Sequence, residues 1–444
     1  MAGEKDRLPT SEKLPERERP TMFLNNPSRR WHYPLILLCA GLFIFLNNVH
    51  AGETPHSIED RVDKILSETP LIDGHDDLPY LIRMGYNNHI YGKNFTGPFE
   101  HGNFANHVDI PRLREGKVGG TFWSVFVPCP KDGMDFSDEN YAASIRQTME
   151  QVDLVSRLQD AYPDTFSAPP NGTTAMEAFK AGKIISPLGI EGLHSIGNSL
   201  AHLRDFYKLG VSYATLTHNC HNKYADAAVV EGPDGNSIKS KPQWNGVSPA
   251  GKDLVHEMNR LGMIVDLAHV SSETMRHVLG GKDDWTGSRA PIIFSHSSAY
   301  AICPHPRNVP DDVLQLVKER NSLVMVNFYP GFVSCKASDK ADGMPEQDPD
   351  HATMEHVADH IMYIGKLIGF DHVGLGSDFD GVESVPKGLE DVSKFPDLIA
   401  ELLKRGVSDE DASKVVGGNL LRVWKDVDNV ALQMQAEGVL PVED

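Results

Sequence analysis

The chain has 444 residues, 40% of them hydrophobic and 23% charged, with a formal net charge of −20 at pH 7. That length can bury one large core or two. A nucleic-acid-binding surface would be basic, so this acidic balance argues against a nucleic-acid partner and favours an acidic exterior.

The first 50 residues differ in composition from the rest. Residues 1–32 carry seven Lys/Arg, five Asp/Glu and several prolines, which predicts a disordered cytoplasmic tail. Residues 33–50 are mostly apolar and follow two arginines, so the positive-inside rule predicts a cytoplasmic N-terminus with the rest of the chain translocated. The basic segment before them is long for a signal peptide, which favours an uncleaved signal anchor. The apolar run is short for a span, and Val49-His50-Ala51 resembles a signal-peptidase site. Secretion after cleavage is therefore the alternative to a single-pass membrane protein.

Beyond residue 54, eight apolar or β-branched runs alternate with segments of helical periodicity. Such alternation predicts an α/β fold, a distorted (β/α)8 TIM-like barrel over residues 54–444. An open doubly wound sheet is less favoured, because no Gly-rich phosphate loop follows the first run. The predicted strands are 70–74, 120–128, 184–189, 213–217, 263–268, 291–295, 323–328 and 372–376.

Helical segments lie between and after these strands. The predicted helices are 57–68, 141–158, 193–209, 251–262, 310–320 and 354–367, with C-terminal closing helices at 393–404, 409–416 and 420–437. Because the fold typically needs only about 250 residues, we expect insertions. The polar loop 226–249 is the clearest insertion.

Cysteine usage agrees with translocation. Four cysteines lie beyond the apolar segment, and an even number suits disulfides, for which three pairings are open. They are Cys129, Cys220, Cys303 and Cys335. Asn94-Phe95-Thr96 and Asn171-Gly172-Thr173 are glycosylation acceptors if they are exposed in a secretory compartment.

Side chains that can bind metal follow six of the eight predicted strands. In a barrel, the C-terminal ends of the strands converge at one mouth, where active sites are built. Buried charges there are costly unless they are paired or bound to metal. One such histidine is usually structural, but six strand ends are hard to explain by packing. The residues are His75, Asp77, Glu191, His218, His269, His296, Asp378 and Asp380.

Imidazoles and carboxylates without thiolates suit Zn²⁺, with Mn²⁺ or Co²⁺ as alternatives. These side chains are too many for one ion, so we expect two ions bridged by a carboxylate. Glu191 is the candidate bridge, because its strand lies between the strands that supply the other ligands.

Seven segments, in this order, resemble the signature of the membrane (renal-type) dipeptidases. The resemblance extends from about residue 57 to 425 and implies a distorted (β/α)8 barrel with two zinc ions per chain. It also implies hydrolysis of dipeptides to free amino acids by a zinc-bridging hydroxide. The segments are DGHDDLP (73–79), GIEGLHS (189–195), LTHN (216–219), DLAHVS (266–271), FSHSSA (294–299), RNVPD (307–311) and GSDFDG (376–381).

The resemblance assigns a role to each site residue. His218 would contact the substrate and polarise its carbonyl or stabilise the oxyanion. Arg307 would bind the free carboxylate of the dipeptide, and Asp378 would transfer a proton. The metal ligands would be His75 and Asp77 for one zinc, His269 and His296 for the other, and Glu191 as the bridge.

The same resemblance implies disulfides Cys129–Cys220 and Cys303–Cys335 and a homodimer. Phe332 stands where some relatives have a tyrosine near the substrate, and Asp76 where the family often has asparagine. Two other functions stay open: another binuclear metal-dependent amidohydrolase, and a non-catalytic surface protein on the same fold.

Overall fold

The structure is a computed structural model that describes residues 57–232 and 234–444. The predicted tail at 1–32 and the predicted signal anchor at 33–50 lie outside these residues. Within the described part, no helix is both long enough and apolar enough to cross a membrane. Membrane attachment therefore stays a prediction.

The described residues contain twelve strands, numbered here in chain order. They are β1 (Leu71–Asp76), β2 (Val118–Phe126), β3 (Leu188–Glu191), β4 (Val211–Thr215), β5 (Val229–Glu231), β6 (Ser237–Lys239), β7 (Ile264–Asp266), β8 (Ile293–Phe294), β9 (Leu323–Val326), β10 (Cys335–Lys336), β11 (Glu346–Gln347) and β12 (Val373–Leu375). Eight of them form a closed barrel in the order β1-β12-β9-β8-β7-β4-β3-β2. Every pairing in it is parallel, which confirms the predicted fold class.

Each predicted strand overlaps a barrel strand, and the third differs most. Ile184 and Ile185 make only isolated bridges, and β3 begins at Leu188, after Pro187. Proline cannot donate to a strand ladder, so it separates the apolar run from the paired strand.

The helices surround the barrel and alternate with its strands. They are Ile58–Glu68, Leu78–Tyr86, Lys93–His101, Ile110–Glu115, Asp138–Ala161, Ala175–Lys180, Leu200–Lys208, Pro249–Leu261, Ser272–Val278, Asp311–Glu319, Pro330–Val333, Met354–Ile368, Phe395–Lys404, Asp409–Ser413 and Asn419–Ala436. The prediction of one helix over 193–209 is wrong. Gly197 and Asn198 adopt left-handed φ values of 59° and 61°, which end a short 3-10 turn before Ser199 caps the next helix.

Two small hairpins stand above the barrel mouth. β5 and β6 pair antiparallel within the predicted insertion at 226–249, and β10 pairs with β11. The two regions meet where the Lys239 amide donates to the Asp342 carbonyl at 2.9 Å. At the opposite end, Trp424 of the last helix packs on Phe122, with ring centroids 5.0 Å apart. Aromatic packing therefore fills the end of the barrel opposite the mouth, and the inserted hairpins surround the mouth.

Candidate active site

The structure brings the five predicted metal ligands together at the barrel mouth. Glu191 ends β3, and its Oε1 lies 2.9 Å from His269 Nε2 and 3.5 Å from His296 Nε2. The same oxygen lies 3.5 Å from His75 Nε2, which is 3.2 Å from Asp77 Oδ2. One carboxylate therefore stands between two pairs of ligand-type side chains.

These spacings suit metal coordination. Tetrahedral zinc, with bonds of about 2.0–2.1 Å, separates neighbouring ligand atoms by roughly 3.4 Å. His75 Nε2 and Asp77 Oδ1 are buried and make no hydrogen bond with any residue in 57–232 or 234–444. Buried polar atoms without partners are costly, so these two atoms fit a site that receives a cation.

Outside the cluster, each of the three histidines is held through its Nδ1. An anchored Nδ1 leaves Nε2 as the ligand atom and fixes the orientation of the ring. Sequence reasoning missed all three anchors. The contacts are His75 with Tyr213 Oη at 2.7 Å, His269 with Asn219 Oδ1 at 2.9 Å and His296 with Ser295 Oγ at 2.9 Å.

The charges of the site favour a cation near β1. Burial by itself would lower the pKa of His75, but the carboxylates of Asp77 and Glu191 raise it to about 10. On the other side, burial lowers the pKa values of His269 and His296 well below the usual histidine range, and nearby positive charge acts in the same direction, chiefly from Arg307 on His269 and from His75 on His296. Those two rings are therefore neutral, which is the form that binds metal.

Asp378 lies beside this cluster. Its Oδ1 is 4.0 Å from His75 Nε2, and its Oδ2 accepts a hydrogen bond from Asn327 Nδ2 at 3.0 Å. Burial raises the pKa of Asp378 to about 6, against the opposing effect of His75. Asp378 and His269 both have a φ of 66°, a left-handed conformation that is uncommon outside glycine and often marks functional sites.

Arg307 is only 1% exposed, so it is not a surface charge. Its Nη2 lies 2.8 Å from His296 Nε2, and its guanidinium lies over the Phe332 ring at 5.0 Å. Within the described chain, its Nε and Nη1 have no hydrogen-bond partner. A buried cation with free N–H groups on a cavity wall is suited to binding an anion.

His218 lines the same cavity, with its ring 4.3 Å from that of His269 and 4.8 Å from that of Phe126. Burial lowers its pKa well below the usual histidine range, so the ring is neutral. Asp380 instead accepts the His107 amide at 2.9 Å and holds a neighbouring loop, although it also reaches the cavity edge.

Both disulfides implied by the resemblance are present, Cys129–Cys220 and Cys303–Cys335. Asn94 and Asn171 are exposed, as glycosylation acceptors must be, and their occupancy stays a prediction. Disulfides form in oxidising compartments, so the pairs indicate an extracytoplasmic or secreted barrel.

The ligand cluster opens into a cavity of about 390 Å³. Its floor carries Glu191, His269 and Asp378, and its walls include Tyr80 and Phe126. The two hairpins contribute the outer wall, with Val229, Ser237 and Gln347. The cavity therefore has a polar, ligand-rich floor beneath partly apolar walls, on the scale of a small substrate.

Comparisons with known proteins bear on the family and reaction class of this chain. The membrane dipeptidase family (peptidase family M19) matches residues 59–438. The chain belongs to this family. The dipeptidase aclJ of Aspergillus oryzae is 47% identical over 390 residues, which cover 86% of this chain and 83% of that protein. The family and this relative confirm the predicted reaction class: the chain is a metal-dependent dipeptidase.

Solved structures share the fold. The probable dipeptidase PvdM from Pseudomonas aeruginosa matches with a TM-score of 0.71 at 23% identity, over 85% of this chain and 100% of that one. A metallo peptidase from Rhodobacter sphaeroides, liganded with a phosphinate mimic of the dipeptide L-Ala-D-Ala, matches with a TM-score of 0.65 at 23% identity. The match covers 81% of this chain and 99% of that one. At such identities these matches establish the barrel fold.

Proposed function

We propose that this dipeptidase binds two zinc ions, one at His75 and Asp77 and one at His269 and His296, with Glu191 as the bridge. The observation that carries the proposal is the position of Glu191 Oε1, within 3.5 Å of three histidine Nε2 atoms. Imidazole and carboxylate ligands without thiolates suit zinc in hydrolytic sites. When bound, the ion pair supplies Lewis acidity and lowers the pKa of water.

Arg307 selects the substrate by its free carboxylate. The buried guanidinium offers two nitrogens without partners in the described chain, and a carboxylate can accept from both. Because Arg307 lies 2.8 Å from His296, the carboxylate must end close to the scissile bond. Dipeptides meet that requirement, whereas longer peptides place their carboxylate too far away.

Asp378 transfers the proton, and His218 stabilises the negative charge that develops on the substrate oxygen. Asp378 accepts a proton from the attacking water and passes it to the leaving amine, as a carboxylate with a raised pKa can do. His218 is neutral and donates a hydrogen bond to the substrate oxygen as it gains negative charge. Both side chains line the cavity above Glu191.

Glu191→Gln tests the bridge. We expect it to lose metal and activity together, because an amide cannot replace a carboxylate shared by two cations. Metal content by mass spectrometry and release of amino acids from a simple dipeptide measure the two effects. The exposed Glu177→Gln is the matched control. A Glu191→Gln protein with two zinc ions and full activity would refute the bridging role.

We further propose that residues 33–50 anchor the protein, with the barrel extracytoplasmic and paired as a homodimer; secretion after cleavage is the alternative location. The two disulfides support the compartment. Membrane fractionation of the full chain, N-terminal sequencing of the mature protein and light scattering test these points separately.

A further inference from the structure

Three consecutive residues after β4 lie close to the proposed zinc site at His269 and His296, which we call the second zinc site. The ring of His218 lies 4.3 Å from that of His269. Asn219 Oδ1 lies 2.9 Å from His269 Nδ1. Cys220 is joined to Cys129, which follows β2. The segment 218–220, which we call the ligand loop, therefore touches one proposed zinc ligand twice and is tied covalently to another strand end.

The Asn219 contact fixes the chemical form of His269. A carbonyl oxygen can only accept a hydrogen bond, so His269 Nδ1 must carry the proton and Nε2 must carry the lone pair. The backbone of His269 is itself in the disfavoured left-handed region, with φ of 66°, and is held where the Ala228 amide donates to its carbonyl at 2.7 Å. The ring is oriented separately, through Asn219.

The disulfide holds the tip of the ligand loop. At its base, Asn222 Nδ2 donates to the Leu216 carbonyl at 2.8 Å. At its tip, His218 and Cys220 form only an isolated bridge with each other, outside any named strand. The Cys129 sulfur lies 3.9 Å from His218 Nδ1, so the bond that ties Cys220 also lies against the substrate-contacting ring.

We propose that the ligand loop is a positioning element for the second zinc site, in which Asn219 orients His269 and the Cys129–Cys220 disulfide keeps Asn219 and His218 in place. The inference rests on the proposed zinc function and assigns roles to Asn219 and to this disulfide. Neither group coordinates metal, so both act through His269 and His218.

Asn219→Leu and Asn219→Asp form a matched pair that leaves both disulfides intact. Leucine has a similar size but no acceptor, and we expect it to weaken binding of one Zn²⁺ by about 10- to 100-fold, as loss of such partners does elsewhere. Aspartate keeps the acceptor oxygen that faces His269 Nδ1, so Asn219→Asp should bind Zn²⁺ with wild-type affinity. Calorimetric titration of the metal-free proteins with Zn²⁺ measures this independently of activity.

The outcomes separate this inference from the function it rests on. A wild-type protein that binds no zinc removes the zinc proposal itself. A wild-type protein with two sites, together with an Asn219→Leu variant of unchanged affinity, overturns only the positioning role. An Asn219→Asp variant as weak as Asn219→Leu overturns the acceptor argument.

The disulfide is tested by Cys129→Ala/Cys220→Ala against Cys303→Ala/Cys335→Ala. We expect the first variant to weaken one Zn²⁺ site and lower kcat, because the ligand loop is released. The second bond lies beside the Arg307 loop, where Asn308 Nδ2 donates to the Cys303 carbonyl at 2.9 Å, so its loss should raise KM and spare zinc affinity. Equal zinc loss in both variants would overturn the specific role. If the first variant does not fold, the Asn219 pair decides.

Discussion

Removal of Arg307 should reduce kcat/KM much more for a free dipeptide than for its C-terminal amide, which lacks the carboxylate charge. The guanidinium has two nitrogens without partners in the described chain, and each charge-assisted hydrogen bond to a carboxylate contributes about 1.5–3 kcal/mol. Truncating one partner of a buried charge pair costs about 2–5 kcal/mol. Taking about 3–4 kcal/mol, and about 1.4 kcal/mol per factor of ten, Arg307→Ala should lower kcat/KM for a free dipeptide by about 10²- to 10³-fold.

The assay compares each dipeptide with its C-terminal amide. Arg307 also contacts His296, so its loss will disturb both reactions, and the ratio of the two kcat/KM values isolates the carboxylate term. We expect the preference for the free dipeptide to fall by about 100-fold, mostly through KM. Arg289→Ala, at a partly exposed arginine paired with Glu437, controls for loss of an arginine elsewhere. Equal losses for the acid and the amide would refute the proposal that Arg307 binds the substrate carboxylate.

Three further predictions concern metal, packing and pH. Chelation should abolish dipeptide hydrolysis while circular dichroism retains the barrel signal, and added Zn²⁺ should restore activity. Gly189→Ala places a Cβ in steric overlap with the Tyr213 ring, so we expect a loss of about 1–3 kcal/mol in thermal melts. Gly85→Ala, in the helix Leu78–Tyr86 and with open space around it, should be neutral or slightly stabilising. Burial by itself would raise the pKa of Glu257, but hydrogen bonds from Arg260 and Arg204 hold it below the usual range. The unfolded state therefore binds the proton more tightly than the folded state. The contribution of Glu257 to the free energy of unfolding is lost as pH falls. Glu257→Gln should therefore cost about 1.5–3 kcal/mol at neutral pH, the contribution of a hydrogen bond to a charged group, and progressively less in acid, measured by urea unfolding.

Residues at the ends of the predicted strands lie together because of a general property of parallel barrels. His75 and Glu191 are 116 positions apart, yet each stands at the end of an apolar run. All parallel strands present their C-terminal ends to one mouth, so any residue placed there approaches the others. Periodicity and residue type predicted which eight side chains gather at the mouth, and the resemblance to the dipeptidase family implied which five of them bind metal.

The prediction of one continuous helix over 193–209 was wrong for a local reason. The apolar spacing was helical, but Gly197 and Asn198 take up left-handed conformations that interrupt it. Asn198 carried a signal that could have been used, since Gly followed by Asn is a common turn pair.

The groups that orient the ligands could not be recognised from the sequence. Tyr213 lies in the middle of β4 and reads as an ordinary buried aromatic residue, yet it pairs in register with Gly189, whose lack of a side chain admits its ring. Only that pairing carries Tyr213 Oη to His75 Nδ1. The same holds for Asn219, whose partner lies 50 positions away.

The sequence by itself determined the fold class, the family and the residue types that gather at the mouth, because these follow from periodicity and from motifs that are contiguous in the chain. Only the tertiary structure decided which nitrogen of each histidine faces the ligand cluster, which atoms of the described chain are left without partners and how Arg307 is buried. Those properties depend on distances of about 3 Å between residues from different strands, and the register and closure of the barrel set these distances.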